Sequence, residues 1–409
     1  MKIKHAEVVA LNIPFYCDHV TRAMQRAQTH DERVHVCRIE TDTGLVGYGD
    51  GGASNVERLI GQNPFAIMND DAIGFGAQLA VLDVAGKVAG VPVHALLGKK
   101  LRDRCPISWW AIDMPPEDWA AEARESLRRG YTCFKLKARP WRDIIKQIET
   151  IGKVVPRDYK FDIDFNGFLL TQAKAEIILH QLDDHRNVGM YESPFYLRQD
   201  QAGARILRQR VRKPIVEHFG AEYLEAHCAD GFVIGGGATQ TRRDATLAAA
   251  FNKPFWLQLV GTGITTAYAA HLGSVLSHAQ LPYITCHELW EDDLLKERLE
   301  VVDGFMVVPD GPGLGIEVDE DAIEKYRVDA DAPSPTTLYR QKKRVLRISW
   351  PGTGDQKRIW EFTNEAAYQQ AFYQGNIPGF EHGVSLEVIE DDDGDSFRKL
   401  HEKLAARGV

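Results

Sequence analysis

The spacing of apolar positions along this chain changes twice. Near the start, KIKHAEVVALNI alternates polar and apolar residues, and RVHVCRIETDTGLVGYGD does so on both sides of the turn TDTG. Period-two alternation predicts strands with one buried face. Between these runs, residues 16–32 (YCDHVTRAMQRAQTHDE) carry histidines and arginines without a strand pattern and read as a loop. Residues 55–97 switch to helical spacing, clearest in DAIGFGAQLAVLDVAGKVAG, so residues 1–105 read as an α+β unit. From 106 to 300 short apolar runs alternate with amphipathic helical segments. The runs are ISWWAID, CFKLKA, KFDIDFNG, VGMYESPF, KPIVEHFG, GFVIGGG, PFWLQLVG and PYITCHEL. This is the pattern of parallel βαβ units, and eight of them predict an α/β fold closed as a (β/α)8-type, modified TIM barrel. The link between KPIVEHFG and GFVIGGG is short, so one helix is expected to be reduced there. After the linker-like DAPSP, residues 331–409 mix strand and helix signals and read as a small appended subdomain.

Composition narrows the class without naming it. The 409 residues are 44% hydrophobic and 26% charged, which is ordinary for a globular protein, and the formal net charge is −9. That sign disfavours nucleic acid as the main partner. It leaves room for an anionic small molecule, since a local site can oppose the net charge. Cys17, Cys37, Cys105, Cys133, Cys228 and Cys286 form no CxxC pair and mostly lie in apolar runs, as expected of reduced thiols in a cytoplasmic enzyme. The basic start alternates rather than forming a leader-like apolar run, and no segment reads as membrane-spanning.

Within YTCFKLKARP the run is apolar except for Lys135 and Lys137, two apart and therefore on one face of a strand. Two inward ammonium groups need negative charge nearby. The next strand ends supply it: Asp162, Asp164 and Asn166, then Glu192, then Glu217 with His218. In a barrel the C-terminal strand ends face the active site. Asp164, Glu192 and Glu217 lie about one βα unit apart and predict an all-oxygen cage for a hard dication, Mg²⁺. A desolvated lysine beside that cation is expected to have a lowered pKa, suiting a general base. A lone KxK is more often strand decoration, and a lone strand-end acid more often a cap. It is their conjunction at βα intervals that points to chemistry.

These residues and two longer signatures resemble the enolase superfamily, in its mandelate racemase and muconate lactonizing branch. Residues 80–98, AVLDVAGKVAGVPVHALLG, are similar to that branch's last capping-domain helix. Residues 301–326, VVDGFMVVPDGPGLGIEVDEDAIEKY, are similar to its C-terminal strand, Pro-Gly turn and final helix, so 301–330 are expected to return to the capping domain. GLVGYGDGG resembles the capping hairpin, with Asp50 where Glu is commoner. The resemblance covers residues 1–327. It implies a capping domain whose segment 16–32 closes on a carboxylate substrate, and abstraction of the proton α to that carboxylate with Mg²⁺ assistance. Asp164 and Glu192 match two metal ligands. For the third, the family's usual position holds Phe219, which leaves Glu217, with His218 as the alternative. Lys137 matches the second lysine of the KxK base, with Lys135 beside it. On the opposite face the expected lysine position is Val233. Asp230 stands where the aspartate of an Asp–His dyad would be, but its partner position holds Gln258.

His218, His287 and Glu288 are candidates for protonating a leaving hydroxyl. His19, Arg22, His30, Asn166 and Glu288 are candidates for binding substrate. One base face without an intact second predicts dehydration of an acid sugar. The alternatives are epimerisation or cycloisomerisation on the same scaffold, or a metal-binding protein that has lost catalysis. A homo-oligomer is expected from family analogy alone.

Overall fold

The computed structural model describes residues 1–27, 29–352 and 356–408. Its first unit is an antiparallel meander of β1 (Ile3–Asn12), β2 (Arg33–Thr41) and β3 (Val46–Asp50). The helix Phe75–Ala89 lies across this sheet, with residues 76–86 buried. Gly47 and Gly49 of β3 allow that approach: a Cβ there would meet Ala80 O at 2.3 Å and Gly76 O at 2.1 Å.

A short strand β4 (Arg104–Pro106) leads into the barrel. Its strands are β5 (Trp109–Ala111), β6 (Cys133–Lys137), β7 (Lys160–Asp164), β8 (Val188–Glu192), β9 (Ile215–His218), β10 (Gly231–Ile234) and β11 (Phe255–Leu257). They pair in parallel in that sequential order. PYITCHEL supplies the eighth position in reduced form. Ile284 bridges Gln258, and Tyr283 bridges Ile107 beside β5, so two parallel bridges close the circle. The helix after β9 (Ala221–Ala226) has only 6 residues, as the short link predicts.

Beyond the barrel, β12 (Val301–Val302) and β13 (Phe305–Val307) form a small sheet with β4. The chain then returns to the first unit, where β14 (Arg327–Val328) pairs with Leu11 and Ala10 of β1. Strands β15 (Arg344–Pro351), β16 (Lys357–Phe362) and β17 (Ser385–Glu390) form the antiparallel sheet of the tail, in the order β16-β15-β17.

Two features were not anticipated. Residues 16–32 are not a plain loop, because Asp18–Arg26 is a helix with Val20, Ala23 and Met24 buried. Those positions, continued by the buried Ala27, follow the i, i+3, i+4, i+7 rule, obscured by the polar residues between them. The tail also has a definite seat on the barrel mouth. Arg340 donates to Met24 O at 2.8 Å and His30 O at 2.9 Å, and the Glu32 carboxylate accepts from Thr336 N at 3.0 Å and Thr336 Oγ1 at 2.9 Å. Arg26 lies 3.3 Å from Glu365 of the tail and 2.7 Å from Asp113 of the barrel. Phe380 N donates to Pro140 O, and Tyr368 packs edge-on against Trp141. The tail thus spans the capping segment and the loop after β6. All six cysteines are free, and no described helix is long and apolar enough to cross a membrane.

Candidate active site

Parallel pairing fixes which side chains point inward, because residues in register share a face. Lys135 pairs with Asp162 and Lys137 with Asp164; Asp164 pairs with Glu192 and Glu192 with Val216. Further round, His218 pairs with Val233, and Val233 with Trp256. The inward row at the C-terminal strand ends is therefore Lys137, Asp164, Glu192, His218 and Gln258, with Lys135, Asp162, Val233 and Trp256 at or below it.

Lys135 occupies the centre. Its ammonium lies 2.5 Å from Glu192 Oε2 and 3.7 Å from Asp164 Oδ2, donates to Gln258 Oε1 at 2.8 Å, and sits 5.1 Å from the Trp256 ring centroid. Lys137 bonds Asp164 Oδ2, whose other oxygen accepts from Asn166 N at 2.8 Å. The two lysines are thus compensated by Asp164 and Glu192. Both carboxylates act directly on Lys135. Burial pulls its pKa down, but Glu192 and Asp164 outweigh burial and hold it above the ordinary value. Asp164 responds reciprocally: burial raises it, yet Lys137 and Lys135 hold it well below the carboxylate range. Asp162, deeper and with Cys133 Sγ as its bonded neighbour, is pushed by burial to about 6.

The third acidic position needs correction. Since Val216 stands across from Glu192, the next inward residue of β9 is His218, and Glu217 turns toward the helical side. Its Oε1 accepts from Ser193 Oγ at 2.7 Å and from His218 N at 2.8 Å, and burial lifts its pKa to about 7. His218 Nε2 lies 3.4 Å from Glu192 Oε1, a contact that raises the imidazole's pKa. Both Glu192 oxygens are buried, and the carboxylate rests against the Lys135 ammonium and the His218 imidazole. Such an anion beside Asp164 fits a divalent cation, with Asp164 and Glu192 as oxygen donors and His218 as the side chain next in reach. Glu217 does not join this set without turning over.

Other sequence candidates divide clearly. His30 faces the mouth: its ring packs 5.2 Å from Trp110, and burial together with Lys137 lowers its pKa to about 4. Asn166 stays at the mouth through its backbone, with φ of 46°; Ser193 at 44° and Cys286 at 58° are also left-handed, so three strained non-glycine residues ring the strand ends. Arg22 is exposed on the capping helix. His19 turns away to Glu122, 2.6 Å distant. Asp230 precedes β10 at the opposite end of the barrel, where Arg208 donates to it at 2.5 Å and Ile215 N at 3.0 Å, so it cannot form a dyad in the mouth.

His287 and Glu288 also point away from the lysine cluster. Glu288 Oε1 accepts from Trp110 N at 2.9 Å, and His287 lies near Thr285 and Tyr131. Their 3.3 Å contact is not an ion pair, since burial lowers His287 to about 3 and raises Glu288 to about 8, leaving both neutral near pH 7. Trp256 was missed in the sequence, although its period-two spacing from Gln258 places both on the inward face. A cavity of about 280 Å³ lined by His218, Phe219, Val233, Gly235 and Gln258 opens beside the cluster. A second of about 280 Å³, lined by His30, Asp50, Gly261 and Trp290, separates the capping unit from the barrel. Asp50 bridges these units by accepting from Thr262 N at 2.7 Å and Thr265 N at 2.9 Å, at the start of the helix Gly263–Val275.

The site is thus a parallel barrel with lysines and carboxylates opposed at its strand ends, beside an α+β unit. The chain belongs to the enolase superfamily, in the mandelate racemase and muconate lactonizing branch: the family described as "Enolase C-terminal domain-like" matches residues 118–322. Among relatives, an N-succinyl-L-Arg/Lys racemase of Bacillus cereus is 25% identical over 81% of this chain and 99% of its own length. A D-galactonate dehydratase of Pectobacterium atrosepticum is 27% identical over 74% of this chain and 93% of its own. A mandelate racemase/muconate lactonizing family protein from Azoarcus sp. EbN1 superposes with a TM-score of 0.66 at 26% identity, covering 81% of this chain and 99% of that one.

Proposed function

We propose that this protein is an acid-sugar dehydratase that abstracts the proton α to a carboxylate. The observation that supports the reading best is the one-sided placement of bases. Lys135 and Lys137 project from β6, while the opposed inward positions on β10 and β11 hold Val233 and Gln258. Lys137 is the base, because it stands nearer the mouth and retains partial exposure, 12% against 1% for Lys135. Lys135 stays charged and supplies fixed positive charge where the substrate carboxylate gains electron density. Asp164 and Glu192 would hold Mg²⁺, which when bound supplies further positive charge to the same carboxylate. His218, exposed at the rim and raised by Glu192, can give a proton to a departing β-hydroxyl. His30 of the capping segment packs against Trp110 of β5 and covers that side of the mouth.

The second reading is 1,1-proton transfer, favoured by the similarity to an N-succinyl amino acid racemase over most of the chain. Proton NMR in D₂O separates the two on a library of aldonic, aldaric, uronic and N-acylamino acids with Mg²⁺. Loss of the α-proton with growth of a 2-keto-3-deoxy product supports dehydration. Exchange or inversion with no loss of water supports the second reading. A cytoplasmic location and a homo-oligomer accompany the proposal and are checked by fractionation and light scattering.

A further inference from the structure

Cys17 is the one cysteine of the six that is not buried, and it stands where the capping helix begins. His19 and Cys17 have turned together toward the barrel helix Pro116–Arg128 and the buried carboxylate of Glu122. Cys17 Sγ lies 3.4 Å from His19 Nδ1 and 3.5 Å from Nε2, and His19 Nε2 lies 2.6 Å from Glu122 Oε1. One ligand atom from each of the three falls within 4.8 Å of the others. The Tyr16 hydroxyl donates to the same Glu122 oxygen, and Trp109 Nε1 fixes the other at 2.9 Å.

We propose that Cys17, His19 and Glu122 form a zinc site, with the Tyr16 hydroxyl or a water as fourth ligand. With Zn–S of about 2.3 Å and Zn–N and Zn–O of about 2.0 Å, a tetrahedral site has an S···N edge of about 3.5 Å, matched by the Cys17–His19 spacing, and an N···O edge of about 3.3 Å, so the 2.6 Å His19–Glu122 contact opens and the imidazole turns to admit the ion. A thiolate and a carboxylate cancel the charge of the dication, so no net charge is buried when Cys17 gives up its proton. Thiolate and imidazole select a borderline-soft ion over Mg²⁺, which separates this site from the oxygen-rich mouth. Trp109 fastens the carboxylate from behind, as an outer partner does in metal sites. Arg129, 5.0 Å from the Tyr16 ring, is the nearby opposing charge, and Glu125 already pairs with it at 2.6 Å.

The site fastens the first turn of the capping helix to the barrel, whereas the tail holds the following residues through Met24, His30 and Glu32. The experiment is a cobalt titration of the chelator-stripped, full-length protein in excess Mg²⁺. One equivalent should bind with a thiolate-to-cobalt charge-transfer band and the intense visible bands of a tetrahedral centre, and Zn²⁺ should abolish both. Cys17→Ser should lose the charge-transfer band, and His19→Gln should weaken zinc binding by roughly 100-fold or more. At one equivalent, Zn²⁺ should raise the melting temperature of the wild type by more than that of either variant. Absence of the band in the wild type overturns the proposal without reference to any variant, and so does a band that survives Cys17→Ser.

Discussion

Glu288 is a fully buried acid that the fold keeps protonated, and replacing it with glutamine isolates the effect. Its Oε1 accepts from Trp110 N, while Oε2 faces the neutral His287 Nδ1 at 3.3 Å with no other partner. The amide introduced by Glu288→Gln keeps the first contact with its oxygen and offers an N–H toward the second. Burial raises the folded pKa from 4.5 to about 8. A group raised on folding has its contribution intact below the unfolded pKa and loses it as pH rises through the folded one. Between pH 5 and pH 8 the wild type therefore loses on the order of 3 to 4 kcal/mol that the glutamine variant keeps. With an unfolding entropy of about 2 cal/mol/K per residue, that is about 4 °C for a chain of this length. The assay is differential scanning calorimetry of both proteins at the two pH values. The melting temperature of the variant should gain about 4 °C on the wild type between pH 5 and pH 8. An equal difference at both values would show that Glu288 is ionised in the fold and refute the reasoning.

Three further outcomes are expected. Lys137→Ala should lower α-proton exchange on a confirmed substrate by about 10²- to 10⁴-fold with the fold intact by circular dichroism; unchanged turnover would remove Lys137 from the mechanism. Asp50→Ala leaves Thr262 N and Thr265 N without their acceptor and should cost about 3 kcal/mol in urea unfolding. Arg340→Ala frees the carbonyls of Met24 and His30, so limited proteolysis should cut the capping segment several-fold faster, and an unchanged rate would mean that the tail does not hold it.

The barrel was legible because its strands are apolar runs bounded by turns, and the KxK and acid spacings survive in the sequence as a βα interval. Face assignment within one strand was less legible. Glu217 and His218 are neighbours, and which of them points inward depends on the register of β9 against β8, a pairing that no local pattern encodes. Asp230 was misplaced for a related reason: GFVIGGG begins one residue later, so the aspartate lies before the strand and not at its functional end. The capping helix was hidden by polar residues between its buried positions. The roles of His287 and Glu288 depend on which side of the closing segment they leave, and a segment reduced to two bridges carries too short a pattern to show it.

The tail's grip on the capping segment has a consequence for how the molecule is made. Arg340 and Met24 are 316 positions apart in the chain, and Thr336 and Glu32 are 304 apart. On the ribosome, the cap and every barrel strand emerge before the residues that lock them together. Closure of the cap by these contacts therefore has to wait until residues 336–340 have been made, long after the segment they fasten.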